Sequence, residues 1–268
     1  MGNLKHYVIR GGVKGHERLK VLSRVMHATS CVLFDRVGVV TGARCLDIGC
    51  GSGDITRELA RRAGPNGAAV GADIDETKLQ LARDETEKLG ITNVEFRSID
   101  IRERPETQEF DVVYARFLLT HLSDPGAAVD CFREFLKPGG VAIVEDIDFG
   151  GSFVHPPSKA FDRYHEIYCS AVSKRGGDPN IGPRLPLLLK DAGFQNVDVM
   201  VVQPMGLEGE VKLLGPLTME AIVDAAIAEQ LTTSEEAAEI ITALYDYVAD
   251  TSTLAGTPRI VQAWGRKK

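Results

Sequence analysis

The chain has 268 residues, of which 44% are hydrophobic and 26% are charged, and its formal net charge is −7. This composition is typical of a globular protein with one elaborated domain, and it excludes a disordered or fibrous chain. The acidic balance also disfavours a nucleic-acid partner, because surfaces that bind phosphate backbones usually carry clustered basic residues.

The cysteine pattern and the first residues of the chain indicate the cellular compartment of the protein. Five cysteines, at positions 31, 45, 50, 131 and 169, form no C-x-x-C pair, and their odd number disfavours a secreted disulfide framework. Residues 1–6 lack the apolar run of a signal peptide, and no stretch approaches the roughly 18 apolar residues of a membrane span. We therefore expect a cytoplasmic protein with no membrane partner. A homodimer is compatible with these features.

The first 40 residues predict a helical N-terminal lid. Within Glu17–Met26, apolar residues recur at three-residue spacing, which is typical of one face of a helix. A second short helix is predicted over Cys31–Val37, with Ser30 as its N-cap.

From Ala43 onward, apolar β-like runs alternate with helical segments, which indicates a doubly wound, mostly parallel α/β sheet. Strands are predicted over Arg44–Ile48, Ala68–Asp73, Val94–Ser98, Phe110–Tyr114 and Val141–Glu145, and helices over Ile55–Ala63, Glu76–Leu89, Phe117–His121 and Ala127–Phe135.

The alternating pattern ends after Phe149. Glycine and proline pairs bracket an inserted segment whose aromatic residues recur at helical spacing, so we expect a helix there. The remaining predicted elements are a helix over Arg184–Ala192, a strand over Val197–Val202, a largely helical stretch over Val211–Asp250 and a terminal strand over Arg259–Gly265.

A glycine-rich loop follows the first predicted strand. Its pattern is Asp47-x-Gly49-x-Gly51-x-Gly53, at the place where a doubly wound fold has its ligand crevice. The glycines allow positive φ angles and a close approach of the backbone to a ligand. On its own, this loop would also fit a tight turn that binds nothing.

An acidic residue, Asp73, ends the second predicted strand. It lies 20 positions after Gly53, close to the offset of about 20 residues at which a carboxylate binds ribose hydroxyls. The alternative is an N-cap of the next helix. The G-x-G-x-G spacing lacks the third glycine of the dinucleotide fingerprint, because Thr56 occupies that position, and this disfavours a nicotinamide oxidoreductase. The residues together indicate a nucleoside ligand without a pyrophosphate.

Five segments, in order, resemble the motif series of the class I S-adenosylmethionine-dependent methyltransferases. They are the glycine loop Leu46–Gly53, the acidic strand end Gly71–Asp73, the turn Ser98–Ile101, the fourth-strand motif Phe110–Arg116 and the turn Leu136–Gly140. Five ordered matches are far more specific than one. The resemblance implies a seven-stranded sheet, the cofactor S-adenosyl-L-methionine and direct in-line methyl transfer to an acceptor.

The resemblance also assigns cofactor-binding roles to individual residues. Those implied at the methionine and ribose ends are Asp47, Gly49, Gly51 and Asp73, and those implied at the adenine are Ile74, Asp100 and Ile101. Arg116 is expected to reach the methionine carboxylate, with a surface arginine as an equal alternative. Tyr7 lies in a segment that resembles the lid strip of small-molecule methyltransferases and is expected to close over the cofactor.

Residues after the fifth strand and in the insertion are candidates for orienting the acceptor or removing its proton. They are Glu145, Asp146, Asp148, His155, Tyr164 and His165. We take His155, Tyr164 and His165 as the catalytic candidates, although each also fits a core or surface position. His121 is interpreted as structural. No metal is expected, because Asp146, Asp148 and His155 match no standard ligand spacing.

The sequence thus predicts a methyltransferase that acts on a small, partly apolar or aromatic molecule. We expect a helical lid (1–40), a cofactor-binding half of the core (41–149), a cap insertion (150–183) and the remainder of the core with a helical insertion at about 211–255 (184–268). The lid and the two insertions would form a cap. The alternatives are a nucleic-acid or protein methyltransferase and a cofactor-binding protein that no longer transfers methyl. The methylated atom, O, N, C or S, is left open.

Overall fold

A seven-stranded sheet forms the centre of the computed structural model, which describes residues 13–101 and 108–268. Its strands are β1 (Arg44–Ile48), β2 (Ala68–Asp73), β3 (Val94–Ser98), β4 (Phe110–Arg116), β5 (Leu136–Asp148), β6 (Gln195–Val202) and β7 (Arg259–Arg266). Their order is β3-β2-β1-β4-β5-β7-β6, with β7 antiparallel to both neighbours and the other pairs parallel. The predicted doubly wound, mostly parallel fold is confirmed.

Helices cover both faces of this sheet and form a separate layer above its carboxyl edge. They are α1 (Val13–Val37), α2 (Asp54–Ala63), α3 (Glu76–Lys88), α4 (Pro125–Phe135), α5 (Lys159–Lys174), α6 (Leu185–Asp191), α7 (Glu210–Ala228) and α8 (Ser234–Ala249). Among the described residues, no helix has the length and apolar character needed to cross a membrane.

Alternating side chains of the strands place the core on both faces of the sheet. In β1, Leu46 and Ile48 belong to an apolar cluster that includes residues of α4 and α6. Cys45 faces the other way and joins a cluster with Phe34 of α1 and Leu59 of α2. The first three strands have the predicted limits. β4 extends beyond its predicted end because Arg116 pairs with Glu145, and β5 is longer at both ends because Leu136 pairs with Phe110 and Asp148 pairs with Arg259 of β7.

The N-terminal helix is one continuous element, where the sequence predicted two. Ser30 was expected to begin the second helix, but it lies inside α1 and is fully buried. Its hydroxyl donates to Glu145 of β5 at 2.8 Å instead of capping a backbone N–H group. No glycine or proline stands between the two apolar stretches, so polar residues interrupt the apolar pattern without ending the helix.

The predicted helix over Phe117–His121 is also wrong. Only Leu119–His121 form a short 3₁₀ turn. Phe117 has a φ of +54°, in the left-handed region that a non-glycine residue rarely adopts, so a helix cannot begin there. Its N–H donates to the carbonyl of Glu145 at 2.8 Å, which extends the β4–β5 pairing past Arg116.

The two insertions pack together into one cap. An apolar cluster joins Phe161 of α5, Met219 of α7 and Leu244 of α8, and it also includes Met26 of α1. A two-stranded pair, Met205–Gly206 with Ala255–Gly256, closes the base of the second insertion. The division of the chain into four domains stays a prediction.

Candidate active site

A cavity of about 1000 Å³ lies at the carboxyl ends of β1, β2 and β4 and continues to α1, α5 and α7 of the cap. Parallel strands of a doubly wound sheet place ligands at this edge. The volume reaches the upper end of the range usual for small-molecule sites, roughly 300–1000 Å³. The cavity therefore has a core end, formed by the sheet, and a cap end, formed by the helices.

The glycine loop forms the floor of the core end. Gly49, Gly51 and Gly53 have φ angles of 73°, 53° and 75°, all in the left-handed region. A Cβ atom at Gly53 would lie 2.6 Å from the ring of Phe96, so this position excludes a side chain. A Cβ atom at Gly51 would meet nothing within 4 Å, and Gly51 lines the cavity. The loop thus leaves open space above its backbone, as a closely approaching ligand requires.

Asp47 is the second-last residue of β1 and lines the cavity beside this loop. Its side chain is almost fully buried, and its Oδ2 atom accepts a hydrogen bond from the Thr56 hydroxyl at 2.6 Å. Burial raises the pKa of Asp47 to about 7, although the Thr56 hydrogen bond opposes the rise. A cationic group nearby would favour the ionised carboxylate.

Asp73 is held in a fixed orientation at the end of β2. Its Oδ2 atom accepts from the Gly51 N–H at 3.1 Å, and its Oδ1 atom accepts from the Asp75 N–H at 3.0 Å. A carboxylate has about four acceptor positions, so further hydroxyl donors can bind. The N-cap of α3 is Asp75, which accepts from the N–H groups of Thr77 and Lys78. The alternative role of Asp73 as that cap is therefore wrong.

The adjacent residues provide an apolar surface and a polar end. Ile74 is 53% exposed and lines the cavity, so it offers an apolar surface to a ligand at this end. Asp100 and Ile101, after β3, line the same end. Tyr7 lies outside the described residues.

Arg116 is a buried cavity residue and not a surface arginine. Its side chain is 11% exposed, and its Nη2 atom donates to Oδ2 of Asp54 at 2.8 Å. Burial by itself would lower the pKa of Arg116, but the Asp54 carboxylate raises that pKa above its ordinary value. Asp54 also accepts from Ser23 of α1 at 2.5 Å. The guanidinium is thus charged and held at the edge of the glycine loop.

The core end is strongly acidic. Eight carboxyl-bearing residues line the cavity, and all come from the core segment between β1 and α4: Asp47, Asp54, Asp73, Asp75, Asp100, Asp124, Asp130 and Glu134. S-adenosylmethionine carries a sulfonium and an ammonium group, so its charge complements these residues. With the open space at Gly51 and the exposed Ile74, the described residues fit this cofactor.

The cap end is aromatic. Phe149 stacks on Tyr168 with ring centroids 4.2 Å apart, and Phe161 and Tyr164 meet edge to face at 6.3 Å. All four side chains are buried and line the cavity. This arrangement offers both ring faces and ring edges to an apolar or aromatic molecule.

Two of the three catalytic candidates lie in this aromatic end. Tyr164 forms a hydrogen bond with Thr218, and burial raises the pKa of Tyr164 to about 12, so its hydroxyl is protonated at pH 7. His165 meets Phe149 edge to face, with centroids 5.5 Å apart. Burial lowers the pKa of His165 to about 4, so the imidazole is neutral at pH 7.

His155, the third candidate, is exposed and does not line the cavity. Its backbone pairs with Leu254. Catalysis by His155 therefore gains no geometric support.

The acidic run, which was predicted to follow the fifth strand, lies inside the last part of β5 and is bonded to the protein itself. Glu145 accepts from the hydroxyls of Ser30 and Tyr114 and from the Gln262 amide. Asp146 accepts from two backbone N–H groups, those of Ile147 at 2.8 Å and Thr120 at 3.0 Å. None of the three carboxyls, Glu145, Asp146 or Asp148, lines the cavity.

Asp148 pairs with Arg259 on the neighbouring strand. Within the described part of the chain, one group of side chains could gather around a metal ion, and it consists of His27, Cys31 and Glu58. It lies outside the cavity lining, and Arg61 and Arg62 already bind its carboxylate.

Sequence reasoning missed three polar residues of the cap end. Arg18 of α1, His121 of the 3₁₀ turn and Thr218 of α7 are all buried and line the cavity. Arg18 stands four residues before Leu22 and eight before Met26, on the buried face of α1. A cation on that face was the signal that could have identified it. Thr218 lies in α7 among mainly apolar neighbours, and its residue type alone does not distinguish it.

A family model described as a methyltransferase domain matches residues 40–197, which is more than half of the chain. The chain belongs to this methyltransferase family. The matched segment contains the glycine loop, Asp73, Asp100 and Arg116, the residues that form the core end of the cavity. The methyltransferase accordingly uses S-adenosyl-L-methionine.

Two curated relatives give the same assignment. The methyltransferase is 31% identical over 181 residues to the ubiquinone/menaquinone biosynthesis C-methyltransferase UbiE of Klebsiella pneumoniae, a match that covers 62% of this chain and 71% of the relative. It is 30% identical over 184 residues to the protein of the same name from Escherichia coli O1:K1, with the same coverage.

Solved structures share the fold. The Haemonchus contortus phosphoethanolamine N-methyltransferase 2, solved with phosphomonomethylethanolamine and S-adenosylhomocysteine, aligns with a TM-score of 0.56 at 21% identity, covering 98% of this chain and 54% of that one. The [4+2]-cyclase SpnF aligns with a TM-score of 0.55 at 18% identity, covering 90% and 81%. At these identities, the comparison concerns the fold alone.

Proposed function

We propose that the methyltransferase transfers the methyl group of S-adenosylmethionine to a small acceptor whose apolar or aromatic part packs against the cap. The observation that carries this proposal is the continuity of one cavity between two chemically different ends. The core end is acidic and open above the glycine loop, and the cap end is formed by Phe149, Phe161, Tyr164 and Tyr168. A large acceptor such as a folded protein or a nucleic acid would not enter an end closed by buried rings.

The core residues take the following roles in this proposal. Asp47, Gly49 and Gly51 flank the methionine part, and Arg116 binds its carboxylate. Asp73 accepts from the ribose hydroxyls, with its orientation fixed by the N–H groups of Gly51 and Asp75. Ile74 packs on the adenine, Asp100 accepts from the adenine amino group, and Ile101 adds a backbone contact.

The cofactor supplies a methyl group on a sulfonium sulfur, which is already activated for in-line displacement. The protein then has to align the acceptor and exclude water. The aromatic rings of the cap do both, because they are buried and leave space between them and the core end. No covalent intermediate with the protein is needed.

For an acceptor whose attacking atom carries a proton, His165 is the proposed proton acceptor. Its imidazole is neutral at pH 7 and lines the cavity. The protonated Tyr164 hydroxyl orients the acceptor through a hydrogen bond. His155 is left out because it does not line the cavity.

The proposal also covers the cellular compartment, the kind of partner and the oligomeric state of the protein. All five cysteines are free thiols, which supports a reducing compartment such as the cytoplasm. The formal net charge of −7 supports a small-molecule partner over a nucleic acid. A homodimer stays open, and size-exclusion chromatography with light scattering would measure it.

A screen for labelled methyl transfer tests the function. The panel contains phenols, anilines, quinols and apolar acids, together with a tRNA pool and a protein extract as large acceptors. We expect transfer to a small aromatic or apolar compound, with kcat reduced at least about tenfold in His165→Gln and unchanged in His155→Gln. The affinity for S-adenosylhomocysteine should be equal in all three proteins.

Two outcomes would overturn the proposal. Transfer only to RNA or protein would favour the large-acceptor alternative. Tight cofactor binding without release of S-adenosylhomocysteine for any acceptor would favour a protein that binds the cofactor but no longer transfers methyl.

A further inference from the structure

Arg18 is a buried cation in the cap end of the cavity. It lies in α1, is 9% exposed and lines the cavity. Its Nε atom donates to the Thr218 hydroxyl at 2.8 Å, and Thr218 in turn forms a hydrogen bond with Tyr164. This network places the guanidinium close to Tyr164, one of the rings at the end of the cavity where the proposed acceptor packs.

The Arg18 guanidinium has no carboxylate partner among the described residues. Other arginines that line the cavity do have one: Arg116 pairs with Asp54 at 2.8 Å and Arg175 with Glu229 at 2.7 Å. On α1 itself, the exposed Arg24 pairs with Glu210. Of the five N–H groups of the Arg18 guanidinium, only the one on Nε bonds to a described residue, which leaves both Nη atoms for a ligand.

The distribution of charge along the cavity also distinguishes Arg18 from the paired arginines. All eight acidic lining residues belong to the core end, and the lining residues of α1, α5, α7 and β7 include none. After burial itself, the charge of Arg18 is the next cause that lowers the pKa of His121, to about 3, ahead of the charges of Lys78 and Arg175. The two ends of the cavity therefore have opposite charge preferences.

A buried charge without a partner is costly, because the protein gives up its hydration without a compensating ion pair. Such a group is retained when a ligand supplies the counter-charge. The planar guanidinium fork matches a carboxylate, which it binds through two parallel hydrogen bonds. A single arginine balances one negative charge, so a monoanionic carboxylate fits better than a phosphate dianion.

We propose that Arg18 binds a carboxylate on the acceptor, so that the substrate class is an aromatic or apolar acid. This inference rests on the proposed function, since it concerns the same cavity. The acid group would be held between α1 and α7 while the apolar part packs against Phe149, Phe161 and Tyr168. Arg18 is then a specificity-determining residue, and it takes no part in bond making.

Matched acid and amide pairs test this role. The probes are phenylacetate with phenylacetamide, 4-hydroxybenzoate with 4-hydroxybenzamide, and 1-naphthoate with 1-naphthamide, titrated into the S-adenosylhomocysteine complex by calorimetry. We expect at least one acid to bind about tenfold or more tightly than its amide to the wild type. The preference should fall to within about twofold in Arg18→Met and to an intermediate value in Arg18→Lys, which keeps the charge but not the fork.

Arg24→Met is the matched control, because it removes an arginine from the same helix at an exposed ion pair. It should keep the full preference for acids. The melting temperature of ligand-free Arg18→Met should equal or exceed that of the wild type, since an unpaired buried cation is removed. A lower melting temperature would mean that the Thr218 bond makes Arg18 structural, and this would contradict the proposal.

Three binding results would overturn the assignment. They are the absence of any acid preference in the wild type, its persistence in Arg18→Met, and a stronger preference for phenyl phosphate than for every acid. Affinity for S-adenosylhomocysteine is measured first on each protein. Its absence in the wild type would refute the proposed function itself, so the two failures are distinguishable.

Discussion

At the scale of single residues, Asp73 combines two tasks. Its carboxylate accepts N–H groups from the glycine loop and from the start of α3, so it joins the two turns that border the core end. The same oxygens keep acceptor capacity toward the cavity. The spacing of Asp73 from the glycine loop made this residue predictable from sequence.

Replacing Asp73 with Asn should lower the affinity for S-adenosylhomocysteine at least about tenfold. A hydrogen bond to a charged group contributes about 1.5–3 kcal/mol, and a neutral amide with one acceptor oxygen cannot serve both the backbone and the ribose. Calorimetry would measure the change, with exposed Asp84→Asn on α3 as the control. Equal affinity in the wild type and Asp73→Asn would refute the ribose assignment.

Arg18 and Thr218 show where residue-level prediction stops. Each comes from a helix that the sequence identified, yet their contact joins positions 200 residues apart. Motif spacing reports on groups near one another in the chain, and it carries no information on a contact between the N-terminal helix and a distant insertion. The same limit placed His155 among the catalytic candidates, because its distance from the cavity depends on how the cap folds.

At the scale of elements, Lys212 holds the second insertion together. Its ammonium group donates to the carbonyls of Leu207, Asp250 and Thr253, and to the Thr253 hydroxyl, at 2.8–2.9 Å. The side chain is 2% exposed. The start of α7 is thereby tied to the segment that follows α8, with no carboxylate among these partners.

Lys212→Met should destabilise the protein by about 3 kcal/mol or more. It leaves buried carbonyl groups without a donor, at a cost of about 1–3 kcal/mol each. Urea denaturation would measure the loss, and Lys190→Met, on the exposed face of α6, should change the free energy of unfolding by less than about 0.5 kcal/mol. A similar small change in Lys212→Met would show that these bonds contribute little.

How well the limits of a strand or helix were predicted depends on whether local sequence alone determines them. The limits of β1 and β2 were predicted correctly, because strands buried on both faces give short, mostly apolar runs. The limits of β3, an edge strand, were also predicted correctly, because its apolar residues Val94 and Phe96 alternate with polar ones. The break in α1 and the helix at Phe117–His121 were wrong. In both places the residue concerned bonds to Glu145, through the Ser30 hydroxyl or the Phe117 N–H, and neither of these long-range bonds is visible in a local pattern.

At the scale of the whole molecule, buried ionisable groups couple the fold to pH in opposite directions. Burial raises the pKa of Asp47 and Asp146 to about 7, and it lowers the pKa of His121 and His165 to about 3 and about 4. The carboxyls stabilise the fold at low pH and lose this effect as pH rises toward 7. The histidines stabilise it above about pH 6.5 and lose this effect on acidification.

A comparison of the wild type with Asp146→Asn isolates one of these groups. An unfolded aspartate has a pKa of about 3.9, so the contribution of Asp146 to stability is full below that pH and declines up to about pH 7. The difference in unfolding free energy, wild type minus variant, should therefore fall between pH 5 and pH 7 and then level off. Urea denaturation at pH 5, 6, 7 and 8 would measure it.

The substitution also removes a hydrogen bond that Asp146 accepts, and this loss adds a constant, pH-independent amount to the difference in unfolding free energy. A constant difference across the series would mean that Asp146 ionises as freely in the folded state as in the unfolded state.

Helix α1 is bonded to both ends of the cavity. Arg18 contacts α7 through Thr218, and Ser23 contacts Asp54, the partner of Arg116. A single helix of 25 residues cannot shift at one of these bonds without straining the other. We therefore expect any coupling between cofactor and acceptor to pass through α1. Thermodynamic linkage makes such an effect mutual: the factor by which one ligand changes the affinity of the second equals the factor by which the second changes the affinity of the first.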